Sequence, residues 1–241
     1  MLYRVAIITD LHIKQGQFVN GVNTEQNFYD LVEELKSWNL DHVICAGDLS
    51  AKKPFREDCE LVKSKLEELK VPYDIICGNH DDPRHISAVF NYDLNDGEVY
   101  YTRRIGESNY IFLDTNQGSI SDKQCQWLSE ELSRNINPYI VMHYPPLDSG
   151  IVYIDAKHEF KDTDKILRIL TDYKKRINVF CGHCHSERLL QYKNLNVFIT
   201  PSSIAQVDER DTNFKMYHDY VGYRIIEERN QSMRTFVKYL F

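Results

Sequence analysis

Residues 181–185 read CGHCH, the end of the apolar run INVF that begins at position 177. Two readings of this stretch lead to different folds. If Cys181 and Cys184 were a Cys-x-x-Cys redox pair, a helix should start at the motif, because its N-terminus lowers the pKa of the first thiol. Residues 186–200 instead read SERLLQYKNLNVFIT: an apolar run, a turn-like Lys-Asn and a second β-rich run. That pattern predicts a hairpin. The redox reading lacks its helix, and attention passes to the two histidines, His183 and His185.

The 241 residues, 42% of them hydrophobic, supply ample apolar material for a core, and a single domain over 1–241 is expected. No apolar run approaches a membrane span, and the first residues, MLYRVAIITDLH, lack the apolar segment and small-residue cleavage site of a signal peptide. The six cysteines are mostly scattered, and Cys45 and Cys77 sit in strand-like runs where a free thiol acts as a small hydrophobe. A reduced, cytoplasmic protein is the expectation. The net charge of −7, with no Lys/Arg block, argues against a protein that tracks extended nucleic acid. AKKPFRED (51–58) and YKKR (173–176) read as solvated faces. A small anionic substrate fits an acidic chain if metal ions supply positive charge locally.

Strand-like runs alternate with amphipathic ones. YRVAII (3–8) precedes a helix from about Thr24, with Phe28, Leu31, Val32, Leu35 and Trp38 at helical spacing. HVICA (42–46) precedes a helix striped by Leu61, Val62, Leu66 and Leu69, and YDIIC (73–77) follows. EVYYTRRI and NYIFLDT are expected to pair. Ser121 with Gln124 reads as a capping box opening a helix through Cys125, Leu128 and Leu132. YIVM (139–142), a helix near 162–174, INVFC (177–181) and two last strands, YVGYRIIE and RTFVKYL, complete the chain. The alternation predicts a layered α/β fold with a strand-rich C-terminal portion.

Five of these strands end in residues able to bind metal: AIITDLH in Asp10 and His12, VICAGD in Asp48, DIICGNHD in Asn79, His80 and Asp81, IVMHYPP in His143, and VFCGHCH in His183 and His185. Ligands of α/β sheets bind beyond the carboxyl ends of strands, so the five loops are expected to face one crevice. Asp10 and His12 lie two residues apart, so in an extended segment both side chains project to the same side, and His183 and His185 repeat the spacing with Cys184 pointing away. The candidates comprise imidazoles, two carboxylates and an amide, without thiolate. Such a set suits Mn²⁺, Fe²⁺ or Zn²⁺ rather than a Cys-rich structural zinc site. Seven ligands exceed one tetrahedral zinc and suit two metals sharing a carboxylate. Singly, each motif could be an ordinary turn; five at five strand ends point to a site. His42, His85, His158 and His218 join no motif and are read as structural.

The ordered set D-x-H, G-D, G-N-H-D, H and G-H-x-H, from Asp10 to His185, resembles the calcineurin-like metallophosphoesterases, and within them the bacterial class III cyclic nucleotide phosphodiesterases. GVNT (21–24), TPSS (200–203) and DYVGYRIIE extend the likeness. The resemblance implies a four-layer αββα sandwich with a dimetal site at the C-terminal ends of the strands. Asp10, His12 and His185 would hold one divalent ion, Asn79, His143 and His183 the other, and Asp48 would bridge them. His80 would stay off the metals and face substrate, with Asp81 orienting its ring; Asn79 and His185 would also border the substrate. Where many relatives carry a second histidine after His143, this chain has Tyr144.

Several branches of that superfamily fit less well. Protein Ser/Thr phosphatases carry Asp-Arg-Gly after the bridging aspartate, where this chain reads GDLSAKK; purple acid phosphatases place a tyrosine where Ala51 stands; lipid A precursor pyrophosphohydrolases usually have Arg for His80. Double-strand-break nucleases add a cap after the core, whereas fewer than sixty residues follow His185. The implied activity is hydrolysis of a small phosphodiester, a cyclic nucleotide such as 3',5'-cyclic AMP first, by a metal-bridging hydroxide. A broad-specificity phosphodiesterase, phosphatase or nuclease is the alternative on the same metals, and a non-catalytic partner-binding scaffold a remote one. No membrane partner is expected, and a homodimer stays open.

Overall fold

The computed structural model describes residues 2–52, 54–230 and 232–241; Lys53, part of the AKKPFRED stretch read as a solvated face, lies outside them. The chain begins β1 (Tyr3–Ile8), α1 (Thr24–Lys36), β2 (His42–Cys45), α2 (Arg56–Glu67), β3 (Tyr73–Ile75) and α3 (Pro83–Phe90). It continues through β4 (Tyr101–Ile105), β5 (Ser108–Phe112), α4 (Asp122–Arg134), β6 (Tyr139–Val141), α5 (Val152–Lys157), α6 (Thr163–Asp172) and β7 (Ile177–Cys181). Six strands follow: β8 (Arg188–Tyr192), β9 (Leu195–Ile199), β10 (Gln206–Val207), β11 (Met216–Tyr217), β12 (Val221–Arg229) and β13 (Ser232–Leu240).

One sheet has the order β13-β12-β1-β2-β3 and the other β4-β5-β6-β7-β9-β8, with β10 and β11 as a separate ribbon. Pairing is parallel through β1-β2-β3 and through β5-β6-β7-β9, so the strands that carry the motifs all point one way within their sheets. The expected β4–β5 pair forms, antiparallel, with Tyr101 opposite Phe112.

Period-two alternation sorts the side chains into layers. Val5 and Ile7 of β1 meet Phe112, Val141 and Phe180 in a core between the two sheets. Ala6 and Ile8 turn the other way and pack with Phe28 and Leu31 of α1, Val62 and Leu66 of α2, and Ile86 of α3. Beneath the second sheet, Ile140, Met142 and Val179 meet Leu128 of α4, Ile154 of α5 and Ile166 of α6. Helices on one face of each sheet and sheet against sheet between them make the αββα sandwich. Among the described residues no helix is long and apolar enough to cross a membrane.

The segment after CGHCH is the expected hairpin: β8 and β9 pair antiparallel, and Cys181 and Cys184 are buried free thiols in the core of the second layer. Burial pushes the pKa of both upward, the opposite of an activated redox thiol. Ser121 caps α4 by accepting from the Gln124 amide, but the Gln124 side chain turns inward to the Asp114 backbone, so only half of the capping box forms. Two helices were not anticipated. α3 carried a signal, with Asp82 as N-cap, Pro83 in the first turn and Asn91 left-handed at the end; α5 is a short turn without side-chain capping.

Candidate metal centre

The ends of β1, β2, β3, β6 and β7 converge, and backbone hydrogen bonds set their loops in register. Asp10 N donates to Gly47 O at 3.0 Å and His12 N to Asp48 O at 2.9 Å, so the first loop zips along the second. TPSS fastens the far side: Ser203 N donates to Thr9 O and Ser202 Oγ to Asp10 O, both at 3.1 Å.

One expectation about these loops needs correcting. Asp10, His12, Asp48, His183 and His185 all have φ between 44° and 68°, in the left-handed region rather than extended. The Asp-x-His and His-x-His spacings therefore bring their side chains together through tight left-handed turns and not through strand pleat. Non-glycine residues held there cost of order 1–3 kcal/mol each, and Asp and His tolerate the region better than most. Gly182 allows the close approach. A Cβ added to it would lie 2.0 Å from Thr9 Oγ1 and 2.8 Å from Asp10 Oδ2.

At the centre, Asp10 Oδ1 lies 3.4 Å from His185 Nε2, 3.8 Å from His143 Nε2 and 3.9 Å from His12 Nε2. Asp48 Oδ2 lies 3.4 Å from His143 Nε2 and 3.6 Å from His12 Nε2. What holds the rings from behind decides which nitrogen faces inward. His143 Nδ1 donates to the Ala46 carbonyl at 2.8 Å, His185 Nδ1 to Ala205 O at 3.2 Å, and His183 Nε2 to His158 O at 2.9 Å. A carbonyl only accepts, so the proton on that side is fixed, and the opposite nitrogen of each ring faces inward, with a bare lone pair wherever the ring is neutral. His183 Nδ1 thus faces Asn79 Oδ1 at 3.0 Å, acceptor against acceptor, and Asp10 Oδ1 and His143 Nε2 are buried without a hydrogen-bond partner among the described residues. Buried acceptors of this kind cost free energy unless a cation joins them. The donor set fits divalent metal ions, whose histidine ligands are held by just such outer hydrogen bonds.

Electrostatics agree. Burial works against ionised Asp10, yet the His185 and His143 rings outweigh it and bring its pKa down to about 2. Burial also lowers His12 to about 4, and burial with the neighbouring His143 lowers His183 to about 3, so both rings are neutral and able to ligate. Burial opposes protonation of His143 too, but the Asp48 and Asp10 carboxylates raise it to about 9. In that position a proton stands where a cation fits.

Among the described residues, Asp10 with His12 and His185, and Asp10 with Asp48 and His143, bring ligand atoms within 4.8 Å of one another. Asn79 and His183 form a pair beside them. His80 also comes within that reach of His12 and Asp48, but its side chain is 30% exposed where that of Asp48 is 3% exposed, and it faces the cavity. Its backbone N–H donates to Asp48 Oδ1 at 2.8 Å.

Asp81 does not orient the His80 ring. Its carboxylate accepts from Gly78 N at 2.8 Å, Leu49 N at 3.0 Å and Ser50 N at 3.1 Å, which staples the Asp48 loop to the Asn79 loop. Backbone amides in a buried turn claim it first. His158, read as structural, lines the cavity and anchors His183 through its backbone carbonyl, a role no sequence signal reveals. Tyr144 packs its ring against His183, centroids 3.9 Å apart, and so fills its position by stacking.

A cavity of about 330 Å³ opens over these residues, bordered by Asn79, His80 and His185 on one side and by Tyr153, Phe214 and Met216 on the other.

The calcineurin-like phosphoesterase family model matches residues 3–187. The chain is 27% identical over 236 residues to a probable cyclic nucleotide phosphodiesterase of Fibrobacter succinogenes, covering 96% of this chain and 92% of that one. It is 24% identical to a 3',5'-cyclic adenosine monophosphate phosphodiesterase of Escherichia coli K12, covering 93% and 84%. The fold superposes on a dimetal phosphatase of Danio rerio with a TM-score of 0.68 at 13% identity, covering 97% and 98% of the two chains.

Proposed function

The chain belongs to the calcineurin-like phosphoesterase family, a metal-dependent phosphoric ester hydrolase by that membership, and from this premise we propose that it hydrolyses a small phosphodiester, a cyclic nucleotide such as 3',5'-cyclic AMP. The observation that carries the proposal is the convergence of buried polar atoms, Asp10 Oδ1 and His143 Nε2 without hydrogen-bond partners among the described residues and His183 Nδ1 against Asn79 Oδ1. Divalent cations would satisfy all of them together. The names of the relatives, matched over nearly their whole lengths, support the cyclic nucleotide as substrate class.

Asp10, His12 and His185 would hold one ion, Asn79, His143 and His183 the other, and Asp48 both. Nitrogen and oxygen donors without thiolate favour Mn²⁺, Fe²⁺ or Zn²⁺. When bound, two such ions yield a nucleophile from water near neutral pH and neutralise the phosphoryl oxygens. The remaining work falls to the chain itself. The carbonyls of Ala46, Ala205 and His158 keep three imidazoles in ligating tautomers. Asp81 holds the Asp48 and Asn79 loops in mutual register. His80, facing the cavity, protonates or hydrogen-bonds the departing ribose oxygen, a step worth about 10²–10⁴-fold.

The test is a substrate panel on purified protein with added Mn²⁺: 3',5'-cyclic AMP, 2',3'-cyclic nucleotides, a glycerophosphodiester, single-stranded DNA and a phosphomonoester. The highest kcat/KM is expected for a cyclic nucleotide. Preference for the monoester or for DNA overturns the proposal.

A further inference from the structure

Along one wall of the cavity, aromatic rings meet in succession from the half-exposed Phe214 to the metal-binding residues. The Phe214 and Tyr153 centroids lie 5.4 Å apart, Tyr153 and His158 5.4 Å, and His158 and His183 6.3 Å. All four residues border the cavity. The outer ring, Phe214, is 47% exposed, an apolar surface half open to solvent. The wall is tied in place: Val152 N, beside Tyr153 on α5, donates to Glu209 O at 3.2 Å, and Asp208 N donates to Lys215 O at 2.8 Å, closing the loop that carries Phe214. Val19, Ile204 and Met216, also apolar, line the same cavity.

None of this apolar surface can serve the phosphoryl chemistry, which needs charge and proton donors. It suits the part of the substrate that does not react. Building on the proposed phosphodiesterase activity, we infer that the Phe214–Tyr153 wall is the docking face for the nucleobase and sets the preference for nucleotides over diesters that lack an aromatic ring. A base is flat, apolar on its faces and polar at its edge, and the Asn20 amide at the cavity rim offers that edge a hydrogen-bonding partner. With a phosphodiester held beside His80 and His183, the base extends outward along the rings. Stacking one base on an aromatic side chain is worth about 5- to 100-fold in affinity.

Equilibrium binding tests this apart from hydrolysis. Metal-loaded parent, Phe214→Ala, Tyr153→Ala and Tyr153→Phe are titrated with 5'-AMP and with ribose 5-phosphate, which carries the same phosphate without the base. The parent is expected to prefer 5'-AMP by at least tenfold. Phe214→Ala and Tyr153→Ala should lose most of that preference, and Tyr153→Phe should keep it. Equal binding of the two ligands by the parent, or an undiminished preference in both alanine variants, overturns the inference. If the preference holds but no cyclic nucleotide is hydrolysed, the activity proposal falls and the base-docking wall stands; hydrolysis without the preference does the reverse.

Discussion

Gly78 stands so close to Asp48 that a Cβ built on it would lie 2.2 Å from Asp48 Oδ1 and 2.3 Å from the Asp48 backbone nitrogen. The contact joins the end of β3 to the end of β2, and a hydrogen in place of a methyl group is what lets the Asp48 carboxylate sit between Asp10, His12 and His143.

Gly78→Ala therefore strikes the site rather than the fold at large. The clash is with backbone as well as side chain, so a flexible tip cannot swing aside, and overpacking of this kind costs typically 1–3 kcal/mol. Metal content should fall and activity drop by about 10²-fold or more, on the scale of an ångström-level misplacement. Gly16→Ala is the control. Gly16 has φ +66°, a strain Gly78 does not share, but none of the described atoms lies within 4 Å of an added Cβ, so even with that strain the variant lacks the contact and should keep parent-like activity. Metal analysis and kcat for both variants check the contrast; parent-like metal content in Gly78→Ala defeats it.

Asp48→Ala and His12→Ala should differ in how much metal they lose. Asp48 Oδ2 lies 3.4 Å from His143 Nε2 and 3.6 Å from His12 Nε2, between rings assigned to different ions. Beyond Asp48, His12 Nε2 faces Asp10 and His185, both assigned with it to one ion. Asp48→Ala is expected to lower occupancy of both sites together, and His12→Ala chiefly of one. Measured stoichiometry decides, and one site fully occupied in Asp48→Ala removes the bridging role.

Replacing Cys181 and Cys184 by Ser should leave hydrolysis within a few-fold of the parent while lowering stability. Both thiols are buried, and Cys181 Sγ has only the Tyr144 carbonyl at 3.7 Å. A buried hydroxyl costs about 1–3 kcal/mol where it is imperfectly paired. At roughly 2–4 °C per kcal/mol for a chain of this size, the melting temperature should fall by several degrees. Activity and metal lost together in a folded double variant would make the thiols part of the site.

Much of this was legible in the sequence because it is local. Five apolar runs ending in Asp, Asn or His announced five strand ends, and the run after Cys184 announced β8 and β9 by its turn. The helical stripes announced the inward faces of α1 and α2. What stayed hidden depends on neighbours distant along the chain. The left-handed turns at Asp10, His12, Asp48, His183 and His185 follow from loops packed against one another and from no residue alone. Asp81 lay inside a recognisable motif, yet its partners, Leu49 and Ser50, come from another loop. His158 acts through its carbonyl, to which side-chain identity gives no clue, and Phe214 reaches the cavity only because β10 and β11 fold their loop toward α5.

His80→Ala should keep its metals and fail selectively, by how poor the leaving group is. The ring borders the cavity, and its Nε2 stands 4.0 Å from Asp48 Oδ2, farther than His12 or His143. The seven residues proposed as ligands would hold both ions without it. A ribose alkoxide needs a proton or a strong hydrogen bond as it departs, whereas p-nitrophenolate carries its own charge. The variant should thus lose about 10²–10⁴-fold in kcat on a cyclic nucleotide and much less on bis(p-nitrophenyl) phosphate. One structural effect must be separated from this. The His80 backbone N–H holds Asp48 Oδ1 at 2.8 Å, and that bond survives in alanine, so loss of metal would signal a displaced loop rather than a missing acid. Metal content measured beside kcat for both substrates settles which occurs. Equal losses on the two substrates at full metal occupancy would leave His80 as a phosphate-positioning residue and remove it as the acid.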